Sequence, residues 1–233
     1  AFVARLQRAP RRYRGHLRPG ALRVRGHGVE VRQYRDPALD EVVRWADAVV
    51  CYRVTATTQI LDLIGVVRER ARTVPLLFDI DDLVFDPSLI GQVHGLAKLS
   101  GTEHDLYWRG VARYRTTMEA CDGYVGSTEA LCERATEVTG LPSFRFANGV
   151  GRDLARISDR EAARPRAPGP LRLGYFSGTM THDGDWALIE PAVAEVLRSR
   201  PGIELWVGGL LTTGPELMSF GERIVRLPML PWA

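Results

Sequence analysis

Apolar positions along the chain follow two rhythms that take turns. Short apolar runs with the look of strands fall at 29–34, 48–52, 74–80, 123–126, 143–147, 171–177, 203–207 and 224–230. The runs at 48–52 (AVVCY) and 74–80 (VPLLFDI) are continuous rather than alternating, as in strands covered on both faces. Phe2, Val3 and Leu6 suggest one more strand near the start. Between the runs, apolar residues recur at helical spacing. Residues 14–28 are loosely helical and close on Gly26 and Gly28. Asp36 is placed to cap a short helix opened by Pro37. Segments 57–72, 105–121 and 185–200 are amphipathic, and a further helix starts at a Ser127 or Thr128 cap and ends at Gly140.

Strands alternating with helices predict an α/β fold with parallel sheets and right-handed crossovers. The stretch 158–170, SDREAARPRAPGP, is polar and rich in Pro and Arg, and reads as a linker. It divides the chain into an N-terminal unit, 1–157, and a second unit, 171–233, with the same strand–helix–strand grammar. Residues 87–102 have no strong period, and their length favours a binding or lid loop.

Composition sets the class. With 45% hydrophobic and 25% charged residues, the chain has the balance of a soluble globular protein, and no apolar run is long enough for a membrane helix. Cys51, Cys121 and Cys132 lack metal-ligand spacing and read as reduced core fillers, which suits a cytoplasmic protein. Charge is uneven: residues 1–35 hold ten arginines against one acid, Glu30, while the whole chain is only +3. Such an arm suits an anionic surface, the inner face of a membrane for a peripheral contact or a nucleic acid, and it is also Arg-rich and acid-poor, as in a transit peptide. The plainer alternative is that Arg is this chain's preferred cation, since Lys98 is its one lysine. No interleaved aromatics support a nucleic-acid site.

Two stretches are dense in chemistry. In LRLGYFSGTMTHDGDW (171–186), a strand meets a Gly-rich polar turn and then a helix. The free N–H groups of a first helical turn make an anion site there, with Ser177, Gly178, Thr179, Thr181, His182 and Asp183 around it. In FDIDDLVFD (78–86), Asp79, Asp81, Asp82 and Asp86 gather at the carboxyl end of an apolar strand, where open α/β sheets bind ligands. Other residues directly after strands are Arg53, Ser127, Thr128 and Asn148. His94 and His104 flank the aperiodic loop, where either could meet a substrate hydroxyl as base or hydrogen-bond partner.

FDIDDLVFD, ACDGYVGSTEAL (120–131), FANGV (146–150), LRLGYFSGTMTHDGDW and IELWVGG (203–209) occur in the order in which they would stand in a GT-B glycosyltransferase. Together, over about residues 48–231, they resemble the retaining group-one or family-four-like transferases of that fold. The resemblance implies two Rossmann-like domains facing across a cleft, the first binding the acceptor and the second a nucleotide-sugar donor. It implies transfer of a sugar to a hydroxyl of a glycan or lipid-linked acceptor in polysaccharide or cell-envelope assembly. No metal and no cofactor is implied, the nucleotide-sugar being a substrate. Ser177, Gly178, Thr179, Thr181, His182 and Asp183 would lie near the donor diphosphate. His182, Asp82 and His94 are the candidates for catalysis, and Arg53, Asp79, Asp81, Asp82, Ser127, Thr128 and Asn148 for the acceptor side of the cleft. Where many relatives carry Gly-Arg and Lys after this strand, the chain has Ser-Gly-Thr and Thr-His-Asp. The paired acidic motif of the donor site is expected beyond Ala233, in a longer protein. Two other readings stand beside this one: a non-catalytic binding subunit of the same architecture, and a haloacid-dehalogenase-like phosphatase using Asp79 and Asp81. The second needs a Thr where the chain has Leu83.

Overall fold

The computed structural model describes residues 1–4, 17–70, 73–92, 96, 99–165, 168–177 and 183–228. Its contacts divide the chain into two compact units, Ala1–Ile90 with Thr102–Ala163, and Gly91–Gly101 with Arg164–Ala233. Both are α/β and built on parallel sheets, as the alternating rhythms predict. Among the described residues no helix is long and apolar enough to cross a membrane.

The first unit runs β1 (Phe2–Ala4), α1 (Leu17–Val24), β2 (Val31–Gln33), α2 (Leu39–Trp45), β3 (Val49–Tyr52), α3 (Thr58–Arg68), β4 (Leu76–Asp79), α4 (Gly101–Glu119), β5 (Gly123–Gly126), α5 (Glu129–Thr139), β6 (Ser143–Arg145) and α6 (Arg152–Ala162). Its six strands lie in the order β2-β1-β3-β4-β5-β6, all parallel. The chain steps one way from β1 to β2, then back past β1 to β3 and onward. Strand order therefore reverses between β1 and β3. The period of two along each strand places Val3, Cys51, Phe78 and Tyr124 in register on one face. They form one buried cluster with Leu39 and Val43 of α2, Ile60, Leu63, Ile64 and Val67 of α3, Met118 of α4 and Ala135 of α5. Right-handed crossovers in a constant direction put those helices on that side together. The single step in the opposite direction carries α1 to the other face, where Ala4, Tyr52 and Asp79 are also buried.

Local chemistry fixes the element ends. Thr57 and Thr128 cap α3 and α5, each accepting an N–H at 3.2 Å through its hydroxyl, from Ile60 and Leu131 respectively. Gly140 ends α5 in the left-handed conformation that spares it a Cβ clash. Asp36 acts differently from the expected cap. Its Oδ1 accepts the Ala38 N–H at 2.9 Å, closing a turn just before α2, whose N-cap is Ala38. The expected linker at 158–170 also begins later than its composition suggests, because α6 runs to Ala162. The stretch RDLARISDREA has good helix formers, an acid in its first turn and Arg160 in its last.

The second unit is β7 (Leu171–Ser177), α7 (Asp183–Ser199), β8 (Ile203–Gly209), α8 (Pro215–Met218) and β9 (Ile224–Leu227), with strand order β7-β8-β9, all parallel. Leu173, Tyr175, Leu205, Val207 and Ile224 face Trp186, Ala194 and Leu197 of α7 and Leu217 of α8. The Tyr175 and Trp186 rings lie 4.7 Å apart. On the reverse side, Arg172 stacks over the Trp206 ring at 4.5 Å, and the Phe176 ring lies beside Gly174 and Gly208.

Candidate functional site

The first unit's strand order reverses at β1/β3, and open α/β sheets bind ligands outside the carboxyl ends of their strands at such a point. Arg53 follows β3 directly, beside it. Its backbone has φ 49°, the only described residue other than glycine in the left-handed region. A side chain there costs on the order of 1–2 kcal/mol, so the surroundings must hold it. They do so at both ends of the residue. The Arg53 N–H donates to the Asp79 carbonyl at 3.0 Å, extending the β3–β4 ladder one step. The Arg53 Nη1 sits 3.1 Å from Asp81 Oδ1 and 2.6 Å from Asp82 Oδ2. Burial pulls the guanidinium pKa down, and the Asp82 and Asp81 carboxylates more than offset it, so Arg53 stays charged.

The four aspartates of FDIDDLVFD thus divide between three arginines. Asp79, 1% exposed, pairs with Arg18 of α1 on the back of the sheet. Arg18 also donates from Nη2 to the Phe146 carbonyl at 2.9 Å and lies over the Phe146 ring at 4.2 Å. Asp81 and Asp82 share Arg53. Asp86 is buried, accepts the Ser88 N–H at 3.0 Å and hydroxyl at 2.7 Å, and takes the Arg134 Nε at 2.7 Å. Burial pushes the Asp86 carboxyl up, and Ser88 and Arg134 more than offset this, holding it below the usual carboxylate range. Asp79 and Asp86 are therefore structural, and Asp81 and Asp82 are the pair at the carboxyl edge. Asp79 enclosed against Arg18 is badly placed as the attacking group of the phosphatase alternative. Among the described residues, no group of three His, Cys, Asp or Glu side chains is arranged to hold a metal ion.

Other expected residues gather on the same edge. Ser127, following β5, donates its hydroxyl to the Asp81 carbonyl at 3.3 Å, whereas Thr128 spends its hydroxyl on capping α5. Asn148, following β6, brings its Nδ2 to 3.5 Å from Asp81 Oδ2, a long contact. The Tyr124 hydroxyl donates to the Ile80 carbonyl at 2.8 Å and ties β5 to the start of the loop carrying both acids. From α4, Tyr107 lies in the field of Asp82, and burial first, then that charge, raises its phenol pKa. His104 is already engaged, its Nε2 accepting the Trp108 Nε1–H at 3.0 Å. Two of these residues escape a reading of the sequence. Arg18 looks like one more charge of a basic arm, and only folding shows that it meets an acid 61 positions away. Tyr107 has the helical spacing of a core residue, and that spacing is blind to the edge position it also occupies.

In the second unit, Ser177 ends β7, buried, beside the tight approach of β8. Gly209 has φ 83°, and a Cβ there would collide with the Ser177 carbonyl. Asp183 opens α7 and accepts the Thr212 N–H at 3.1 Å. Gly178, Thr179, Thr181 and His182, and likewise His94, lie outside the described residues. No protein-family model matches the chain, and no curated protein matches it.

Proposed function

We propose that the chain belongs to a glycosyltransferase of GT-B type, its first unit serving the acceptor and its second the nucleotide-sugar donor. One observation carries the reading: Arg53, Asp81, Asp82, Ser127 and Asn148, drawn from the ends of four strands, meet at the switch-point edge of a doubly wound sheet. The motif resemblance assigns the acceptor side to those same residues. In the reaction, an acceptor hydroxyl oxygen bonds to the anomeric carbon of the donor sugar. The bond from that carbon to the diphosphate breaks, the diphosphate leaves with the electron pair, and the hydroxyl proton passes to a base, for which Asp82, His94 and His182 are the candidates. Negative charge grows on the leaving diphosphate. The N-terminus of α7, with the hydroxyls of Ser177, Thr179 and Thr181 before it, is suited to stabilising that charge. The acceptor is a glycan or a lipid-linked sugar, and the basic N-terminal segment serves a peripheral membrane contact.

The test is thermal stability of the full-length protein against a panel of nucleoside diphosphates and nucleotide-sugars. A ligand held at about 100 times its Kd adds about 2.7 kcal/mol to apparent stability by mass action. The expected result is a rise in Tm for one nucleobase only, lost in Thr179→Ala and His182→Ala variants that still fold. No rise anywhere in the panel would transfer the architecture to a non-catalytic binding subunit.

A further inference from the structure

The clamp on Arg53 uses only one of its nitrogens, Nη1. Among the described residues, Nε and Nη2 have no protein acceptor, and the side chain is about one quarter exposed at 24%. Asp82 likewise gives one oxygen, Oδ2, to Arg53 and is 52% exposed. The side chain of the strained residue is thus held through Arg53 Nη1 alone, while Arg53 Nε and Nη2 and Asp82 Oδ1 have no partner among the described residues. Charge then decides which ligand. Two carboxylates face one guanidinium, so the trio carries one net negative charge. A phosphate or carboxylate arriving here would meet a guanidinium already neutralised and a carboxylate in excess. A sugar hydroxyl suits the same groups, donating to Asp82 Oδ1 and accepting from Arg53 Nη2, with Ser127 and Asn148 at the rim.

We propose that the Arg53–Asp81–Asp82 edge selects an uncharged sugar as acceptor and rejects the phosphorylated or carboxylated form of the same sugar. The word acceptor rests on the transferase reading. The selection itself is a property of binding and is measured with no donor present.

The experiment is ligand-observed NMR on the full chain with methyl glucoside, methyl mannoside and methyl galactoside, each beside its 6-phosphate and its uronate. At least one methyl hexoside is expected to bind, and its charged counterparts to bind on the order of tenfold more weakly at low salt. Raising ionic strength from about 0.01 M to about 1 M shortens the screening length from roughly 30 to roughly 3 Å and should bring that ratio towards one. Asp82→Asn, a change at a half-exposed side chain, should narrow the ratio in the same way. Binding of no methyl hexoside, or of a charged form as tightly as the neutral one, overturns the proposal. So does a ratio indifferent to both salt and Asp82→Asn, because it would report shape rather than charge. If discrimination holds but no nucleotide raises Tm, the transferase reading falls and the sugar site stands. The converse retires the sugar site alone.

Discussion

The two sheets obey one grammar and end up differently equipped. Both are parallel and both have a face lined by crossover helices. In the first sheet, the step from β1 to β2 opposes every later step, so α1 lands on the reverse face and Asp79 is sealed there with Arg18. In the second, β7 to β8 to β9 proceeds one way. Both of its crossover helices pack on one face, and Phe176 on the other remains 71% exposed. A reversal of direction therefore does two things at once. It covers the second face, and it sets the switch point beside β3, which Arg53 directly follows. The ion pairs follow the same division: the first unit holds Arg18–Asp79 on its reverse face, Arg53 with Asp81 and Asp82 at its carboxyl edge, and Arg134–Asp86 beyond it.

The comparison breaks most easily at Arg18. Its removal in Arg18→Ala takes a charged partner from a carboxylate that is almost wholly buried, which costs about 3–5 kcal/mol, a large part of the stability of an ordinary domain. Urea unfolding followed by hydrogen exchange should show the loss confined to the first unit. The pair Arg18→Met with Asp79→Leu should recover most of it, since two apolar groups need no compensation. A loss below about 1 kcal/mol in Arg18→Ala would mean that the back of the sheet is not sealed by this pair.

A smaller effect is expected from the second sheet, at neighbouring glycines with opposite constraints. Gly209→Ala must place a Cβ against the Ser177 carbonyl, at a backbone φ of 83°. Backbone on both sides cannot yield, so about 2–4 kcal/mol is expected, felt in the second unit. In Gly208→Ala the obstacle is the Phe176 ring, an exposed side chain free to swing away, and the expected loss is under about 1 kcal/mol. Equal melting temperatures for the two variants would contradict the close β7–β8 approach at Ser177.

Much of this was legible in the sequence, and the limits have a physical pattern. Gly123–Gly126 and the Thr128 cap follow from local chemistry, which acts within a few residues and leaves its mark there. The gathering of Arg53, Asp81, Ser127 and Asn148 was also legible, because a parallel sheet sends every strand's end to one edge. What could not be read is pairing. FDIDDLVFD looks like one acidic cluster, yet its members divide between the back face, the carboxyl edge and the segment before Ser88, each with an arginine from a different element. Nothing within nine residues distinguishes Asp79, which faces Arg18, from Asp81, which faces Arg53. Asp36 failed as a cap for a related reason: a turn and an N-cap use the same side-chain oxygen, and Pro37 fits both.

The finest effect concerns Asp86, and it separates a carboxylate that fastens a loop from those at the candidate site. With Ser88 and Arg134 holding it below the usual range, its folded pKa lies under the unfolded value of about 3.9. The sign follows from linkage. Above that unfolded value the ionised form is present in both states, and its contacts contribute in full. As pH falls the unfolded chain takes up the proton first, so stability declines, and the contribution is gone once pH passes below the folded pKa. Asp86→Asn has no such proton to bind. Its urea midpoint should therefore fall less steeply than that of the natural chain between about pH 5 and pH 2. The difference is small because many other acids titrate across the same window. The Ser88 amide, which loses its charged acceptor on acidification, should lose protection against exchange in the natural chain as that pH is crossed, ahead of the β8 amides of the second unit. Parallel slopes for the natural chain and Asp86→Asn would show that this segment is fastened by something other than the Asp86 charge.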